Sequence, residues 1–199
     1  MALGSFGLGS VDGGVAVSSH VQFIDVDLAN CLGQLFGLRK LEGRGTLALD
    51  VEGTGGSIWA LTHTLNGTAS VAAHGGALTG INVEQLLRRL EKRPLSGNGD
   101  FRSGRTPFDR LALNVKIEQG VVSIVDLHVD GPSVQLKVAG QASLPSRDLD
   151  LHGNATLVST DTASAFELPF VVEGPWNDPL VLPDASSLIR HSDAAAPLL

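Results

Sequence analysis

Tyrosine is absent from this 199-residue chain, cysteine and methionine occur once each, and only two tryptophans and seven phenylalanines are present. A core must therefore be built from Val, Leu, Ile and Ala. The single cysteine, Cys31, excludes an intramolecular disulfide framework and a thiolate zinc site. Positive charge is also scarce, with 14 Lys and Arg against 21 Asp and Glu and a net charge of −7. That balance argues against nucleic acid, because phosphate binding needs a dense cationic face. No apolar run approaches the roughly 18 residues of a membrane span, and no charged-then-apolar signal peptide opens the chain. Either the protein is cytosolic, or this is a soluble piece of something longer.

What is abundant is glycine, 24 of 199 residues. The glycines fall among β-branched runs without a collagen period, so they read as turns and bulges between strands. The clearest alternation lies between Thr106 and Val158. Leu111, Leu113, Val115 and Ile117 alternate with Ala112, Asn114, Lys116 and Glu118, the period of a half-exposed strand. After a tight turn at Gln119–Gly120, Val121, Val125, Leu127 and Val129 alternate with Ile124, Asp126, His128 and Asp130. Val134, Leu136 and Val138 form a third pass, and Leu149, Leu151, Ala155 and Leu157 a fourth. Four such strands with short turns predict an antiparallel meander with one apolar face. The first half repeats the pattern around Val15–Val26, Leu47–Val51 and Ala69–Ala73. Helices are expected over 29–36, 57–65 and 81–92, the last with Asn82 as N-cap and Pro94 beyond its end. Residues 95–105 read as a flexible connector or a mobile flap, and 183–199 as a tail that frays.

Candidate chemistry is thin. Asp126, His128 and Asp130, and Asp148, Asp150 and His152, each set three possible ligands on one strand face. The outward side of a half-buried strand demands such residues anyway, so no metal site is assigned. No serine sits in a Gly-x-Ser-x-Gly elbow; Gly4–Gly7 and Gly9–Ser10 read as linker or strand edge. Gly53-Thr54-Gly55-Gly56 lacks the following lysine of a phosphate loop. Cys31 lies in an apolar helical segment and reads as an inert thiol. Arg88, Arg89, Lys92 and Arg93 read as the solvated flank of a helix.

The motifs say more than the periodicity. His74-Gly75-Gly76-Ala77-Leu78-Thr79-Gly80-Ile81-Asn82 runs into a helix; Thr106-Pro107-Phe108-Asp109-Arg110-Leu111 opens a strand; Gln119-Gly120-Val121-Val122 follows. Leu168-Pro169-Phe170, Gly174-Pro175-Trp176-Asn177-Asp178-Pro179 and Pro183-Asp184 close the chain. In this order, over residues 20 to 190, the set resembles the C-terminal region of the AsmA family of Gram-negative envelope proteins. His74 departs from it, standing where the family usually has an acidic or small residue. The resemblance implies a periplasmic domain of a longer protein, anchored to the inner membrane by a segment absent from this chain. It also implies a groove-shaped sheet that handles phospholipid and supports outer-membrane assembly.

The expected fold class is α+β and mainly β: a twisted, groove-like antiparallel sheet with a few short helices on one side, forming one domain over residues 1–182. The expected function is non-enzymatic, with no catalytic residues, metal or cofactor. Phospholipid and the remainder of the same envelope protein are the expected partners, and nucleic acid is not. The candidate lipid-contact residues are Leu113, Val115, Ile117, Leu127, Val129, Val134, Leu136 and Val138. Alternation leaves open whether they form a filled core or line a groove. The alternative function is a structural cap or interaction module that pairs through a sheet edge.

Overall fold

The computed structural model describes residues 1–92, 104–158 and 166–184. Among the described residues ten strands form one sheet in chain order, every neighbouring pair antiparallel. They are β1 (Ala2–Val11), β2 (Gly14–Asp27), β3 (Leu41–Gly55), β4 (Asn66–Thr79), β5 (Arg105–Glu118), β6 (Val121–Asp130), β7 (Val134–Ser143), β8 (Asp148–Leu157), β9 (Glu167–Pro175) and β10 (Leu180–Pro183). Three helices interrupt the first half: α1 (Leu28–Phe36), α2 (Ile58–Thr64) and α3 (Val83–Lys92). The mainly β fold class with short helices thus holds, and the meander is longer than its clearest sequence signal.

Local chemistry sets the helix ends. The Asp27 side chain accepts from the Asn30 N–H, and Gly37 closes α1 in the left-handed region. Ser57 caps α2 through the Ala60 N–H, and Asn82 caps α3 through the Gln85 N–H, as its sequence predicts. Helix α1 reaches the sheet because β2 bulges between Phe23 and Val26. Asp25 takes a φ of 51° there, and Arg44 grips it with two side-chain hydrogen bonds of 2.8 Å and a third to its carbonyl. This guanidinium holds the exposed Asp25 carboxyl below its ordinary value, first by hydrogen bonding and then by charge.

Gly4–Gly7 and Gly9–Ser10, read as linker or strand edge, lie in the ten-residue strand at one side of the sheet. Two sequence expectations change. Val125, placed by alternation on the apolar side, is 70% exposed. A bulge between Ile124 and Leu127 shifts the register, so that Ile124 rather than Val125 pairs with Val115. Pro183, the first residue of the expected tail, belongs to β10, and the Asp184 N–H donates to the Pro169 carbonyl. The remainder of that tail, and residues 95–103 of the expected connector, lie outside the described residues.

The core occupies one end of one face. Leu28 and Leu32 of α1 and Val83 and Leu87 of α3 are buried with Leu47, Val71, Ala73, Phe108, Leu111, Val129, Val134, Leu136, Ala155, Leu157 and Leu168. Helix α3 packs on β8 and β5, and α1 on β3 and β2. Helix α2 sits toward the other end, over β3. A Cβ on Gly55 would lie 2.6 Å from the Leu61 backbone nitrogen, so only glycine lets the helix approach this closely.

A candidate lipid-facing row on the sheet

The motif residues prove to be structural. Thr106 is 3% exposed. Its hydroxyl accepts from the Val83 N–H at 3.0 Å and donates to the Ile81 carbonyl at 2.8 Å. It thereby pins the start of α3 to β5. Phe108 pairs with Gly76, and a Cβ on that glycine would lie 2.6 Å from the Phe108 ring; the missing side chain is the space the ring fills. Phe170 covers Gly153 in the same way. Gln119 and Gly120, both at positive φ, make the turn between β5 and β6. Trp176 sits beside the Arg147 guanidinium, 5.9 Å from its ring centre. Thr106→Val keeps the shape but strips one buried and one part-buried backbone group of their partner. It is expected to destabilise the fold by about 1–3 kcal/mol, seen as a lower urea midpoint; an unchanged midpoint would contradict this pinning role.

The register aligns the apolar residues into rows that cross the sheet. A row close to α1 and α3 runs through Ala73, Leu111, Val129, Leu136, Ala155 and Leu168, all buried. The next passes through Phe23, Leu47, Val71, Leu113, Leu127, Val138, Gly153 and Phe170. Of these only Leu47 and Val71 are buried among the side chains. Beyond it lies a row that runs from edge to edge: Gly4, Val21, Leu49, Ala69, Val115, Ile124, Gly140, Leu151, Val172 and Val181. It carries no polar side chain, and none of its ten residues is buried. Nine strand spacings extend it on the order of 40 Å, longer than the roughly 30 Å hydrocarbon core of a bilayer.

The eight candidate residues therefore divide. Val129, Val134, Leu136 and Ile117 are buried; the first three are sealed in the helix-covered core. Leu113, Leu127 and Val138 are half-buried in the row beside the core, the first two packed against it, and only Val115 lies in the open row. Sequence reasoning missed Val21, Leu49, Leu151 and Val172, which join Val115 through cross-strand pairing that no local pattern encodes. It also passed over Ile58 and Trp59, which stand exposed on α2.

The opposite face carries the polar side chains. A depression of about 870 Å³ crosses β1 to β5, lined by His20, Gln22, Asp50, Thr68, Asn114 and Lys116, by the apolar Leu3, Ala48 and Val125, and by Gly4, Val21, Leu49, Ala69 and Val115 of the row itself. His20 Nδ1 lies 2.6 Å from Asp50 Oδ1. The two acidic and histidine sets also face this side, on β6 and β8 with β7 between them. His128 pairs with Asp126 on its own strand, and among the described residues no group of three or more His, Cys, Asp or Glu is placed to hold a metal ion. Burial raises the Cys31 thiol above its ordinary value, so little thiolate exists at neutral pH. Alkylation of Cys31 by iodoacetamide at pH 7.5 is expected to be slower in the folded protein than in urea; equal rates would contradict that environment.

The sequence profile of the AsmA family matches residues 15–127, more than half of the chain. The chain belongs to the AsmA family. It is 24% identical over 141 residues to Protein AsmA of Escherichia coli strain K12, an alignment covering 68% of this chain and 22% of that protein. The chain thus spans about a fifth of the curated relative it matches. No solved structure matches. The profile takes in the Gly-Gly turn, α3, Thr106 and Phe108, and stops before the Gly174-Pro175-Trp176 motif. Among the described residues no helix is long and apolar enough to cross a membrane.

Proposed function

We propose that this AsmA-family chain is a non-enzymatic, phospholipid-handling segment of an envelope protein that acts in the periplasm in outer-membrane biogenesis. An inner-membrane anchor would be supplied elsewhere in the same protein. The observation that carries this reading is the unburied apolar row from Gly4 to Val181. Three short helices shield the end of the face where the core lies and part of the opposite end, and leave the band between them open. An acyl chain laid along that band gains about 0.8 kcal/mol for each methylene taken out of water. The polar opposite face keeps the sheet wetted while this one takes hydrocarbon. Organic extraction of the purified chain followed by mass spectrometry tests the reading. Phospholipid in near-stoichiometric amount is expected, and a lipid-free extract would contradict it.

The second reading, a structural module that pairs through a sheet edge, is favoured by β1, every residue of which is exposed. It predicts strand pairing and no bound lipid.

A further inference from the structure

We infer that Arg147 and Trp176 hold the phosphate of a phospholipid whose acyl chains lie on the open row. This site rests on the phospholipid reading of that row and adds the place of the headgroup to it. Counting by twos from Leu151 on β8 leads through Leu149 to Arg147, and from Val172 on β9 through Gly174 to Trp176. Leu151 pairs with Val172 and Leu149 with Gly174, and beyond them the Trp176 N–H donates to the Arg147 carbonyl at 3.0 Å. Arg147 and Trp176 thus end two columns that begin in the open row, on the side away from α1 and α3.

The chemistry of the pair suits an anion. Arg44, Arg88 and Arg105 each grip a carboxylate. Arg147 does not, although Asp148 follows it in the chain: among the described residues it forms no ion pair. Its guanidinium carbon lies instead 5.9 Å from the centre of the Trp176 ring. A guanidinium set over an indole keeps its in-plane N–H donors free, and two of them match two oxygens of a phosphate. The way from the pair to the row is clear. A Cβ on Gly174 would meet nothing within 4 Å, so no side chain stands over that glycine.

The spacing fits a lipid. Two residues of chain put the Arg147 α-carbon within about 7 Å of that of Leu149, and four put it within about 14 Å of that of Leu151. The glycerol and ester groups of a phospholipid occupy the first interval. A phosphate at Arg147 then brings the first methylenes over Leu149 and the chains into the row at Leu151 and Val172. An uncharged lipid with the same chains would find the row and miss the anchor.

Dioleoyl phosphatidylglycerol and dioleoylglycerol carry the same chains. Offered together to the purified chain, with the bound ratio read by mass spectrometry, the phospholipid should be preferred about fivefold, the effect of one exposed but well-oriented charge pair. Arg147→Gln should bring the ratio close to one with dioleoylglycerol binding unchanged. Trp176→Leu keeps the charge, loses the ring and should lower the ratio. Lys137→Gln removes the same charge from the polar face, where Lys137 pairs with His128, and should keep it. Inorganic phosphate titrated alone should bind far more weakly than the phospholipid; equal affinity would make the ligand a free phosphate and overturn the inference. So would a preference undiminished in either site variant, or one that falls equally in Lys137→Gln. Equal binding of the two lipids by the unaltered chain would overturn the headgroup site and leave the row standing, whereas binding of neither would remove the row and the site with it.

Discussion

Leu87→Ala is expected to destabilise the fold by about 2–5 kcal/mol, lowering the melting temperature by on the order of 10 °C. Leu87 is 0% exposed and lies in the cluster that joins α3 to Leu136, Ala155 and Leu157. Helix α3 carries four charged residues in its last five positions, Arg88, Arg89, Glu91 and Lys92. The buried stripe of Val83 and Leu87, flanked by Leu86 and Leu90, holds it to the sheet together with the Thr106 hydroxyl. Removing three carbons from the middle of that stripe leaves a cavity that the rigid strands beneath cannot close. Thermal or urea denaturation measures the loss. A change below about 1 kcal/mol would mean that α3 is not what seals this end of the sheet.

The second large effect concerns binding. Val115→Asp combined with Leu151→Asp is expected to lower bound phospholipid at least about tenfold, equivalent to 1.4 kcal/mol, and to leave the fold intact. Both residues are half-buried in the open row, so the new carboxylates can stay hydrated in the lipid-free protein. Under an acyl chain they would have to shed that water, which costs several kcal/mol. Leu136→Asp serves as the contrast. It puts a carboxylate into the helix-covered core, where the same chemistry unfolds the protein instead of emptying it. Lipid retained by the folded double variant would contradict the assignment of this row.

The contrast between Leu136 and Val115 also marks what could be read before the structure. Alternation identifies a strand and the side of it that is apolar, which is why β5 to β8 were legible. It does not report which part of that side another element covers. Leu136 and Val138 share a strand and a face, yet the first is sealed and the second is half-open, because helices from distant parts of the chain land near one and not the other. Strand β1 is legible only as linker or strand edge because it is exposed on both faces and its glycines at 4, 7 and 9 interrupt any period of two. Val125 was misplaced because a bulge leaves no trace in a list of hydrophobic residues. The helix caps and the Gln119–Gly120 turn were legible because their chemistry is local. The pairing of Thr106 with α3, 23 residues away, was not, although its motif had flagged the residue.

Photo-crosslinking tests the central claim most directly. A photoreactive amino acid is placed at residue 115 or 151, in the open row, and at residue 114 or 150, one position along the same strands and on the wet face. Irradiation of the protein bound to phospholipid should attach lipid at 115 and 151 and leave 114 and 150 unmodified. Equal labelling of both faces, or labelling confined to 114 and 150, would contradict the account.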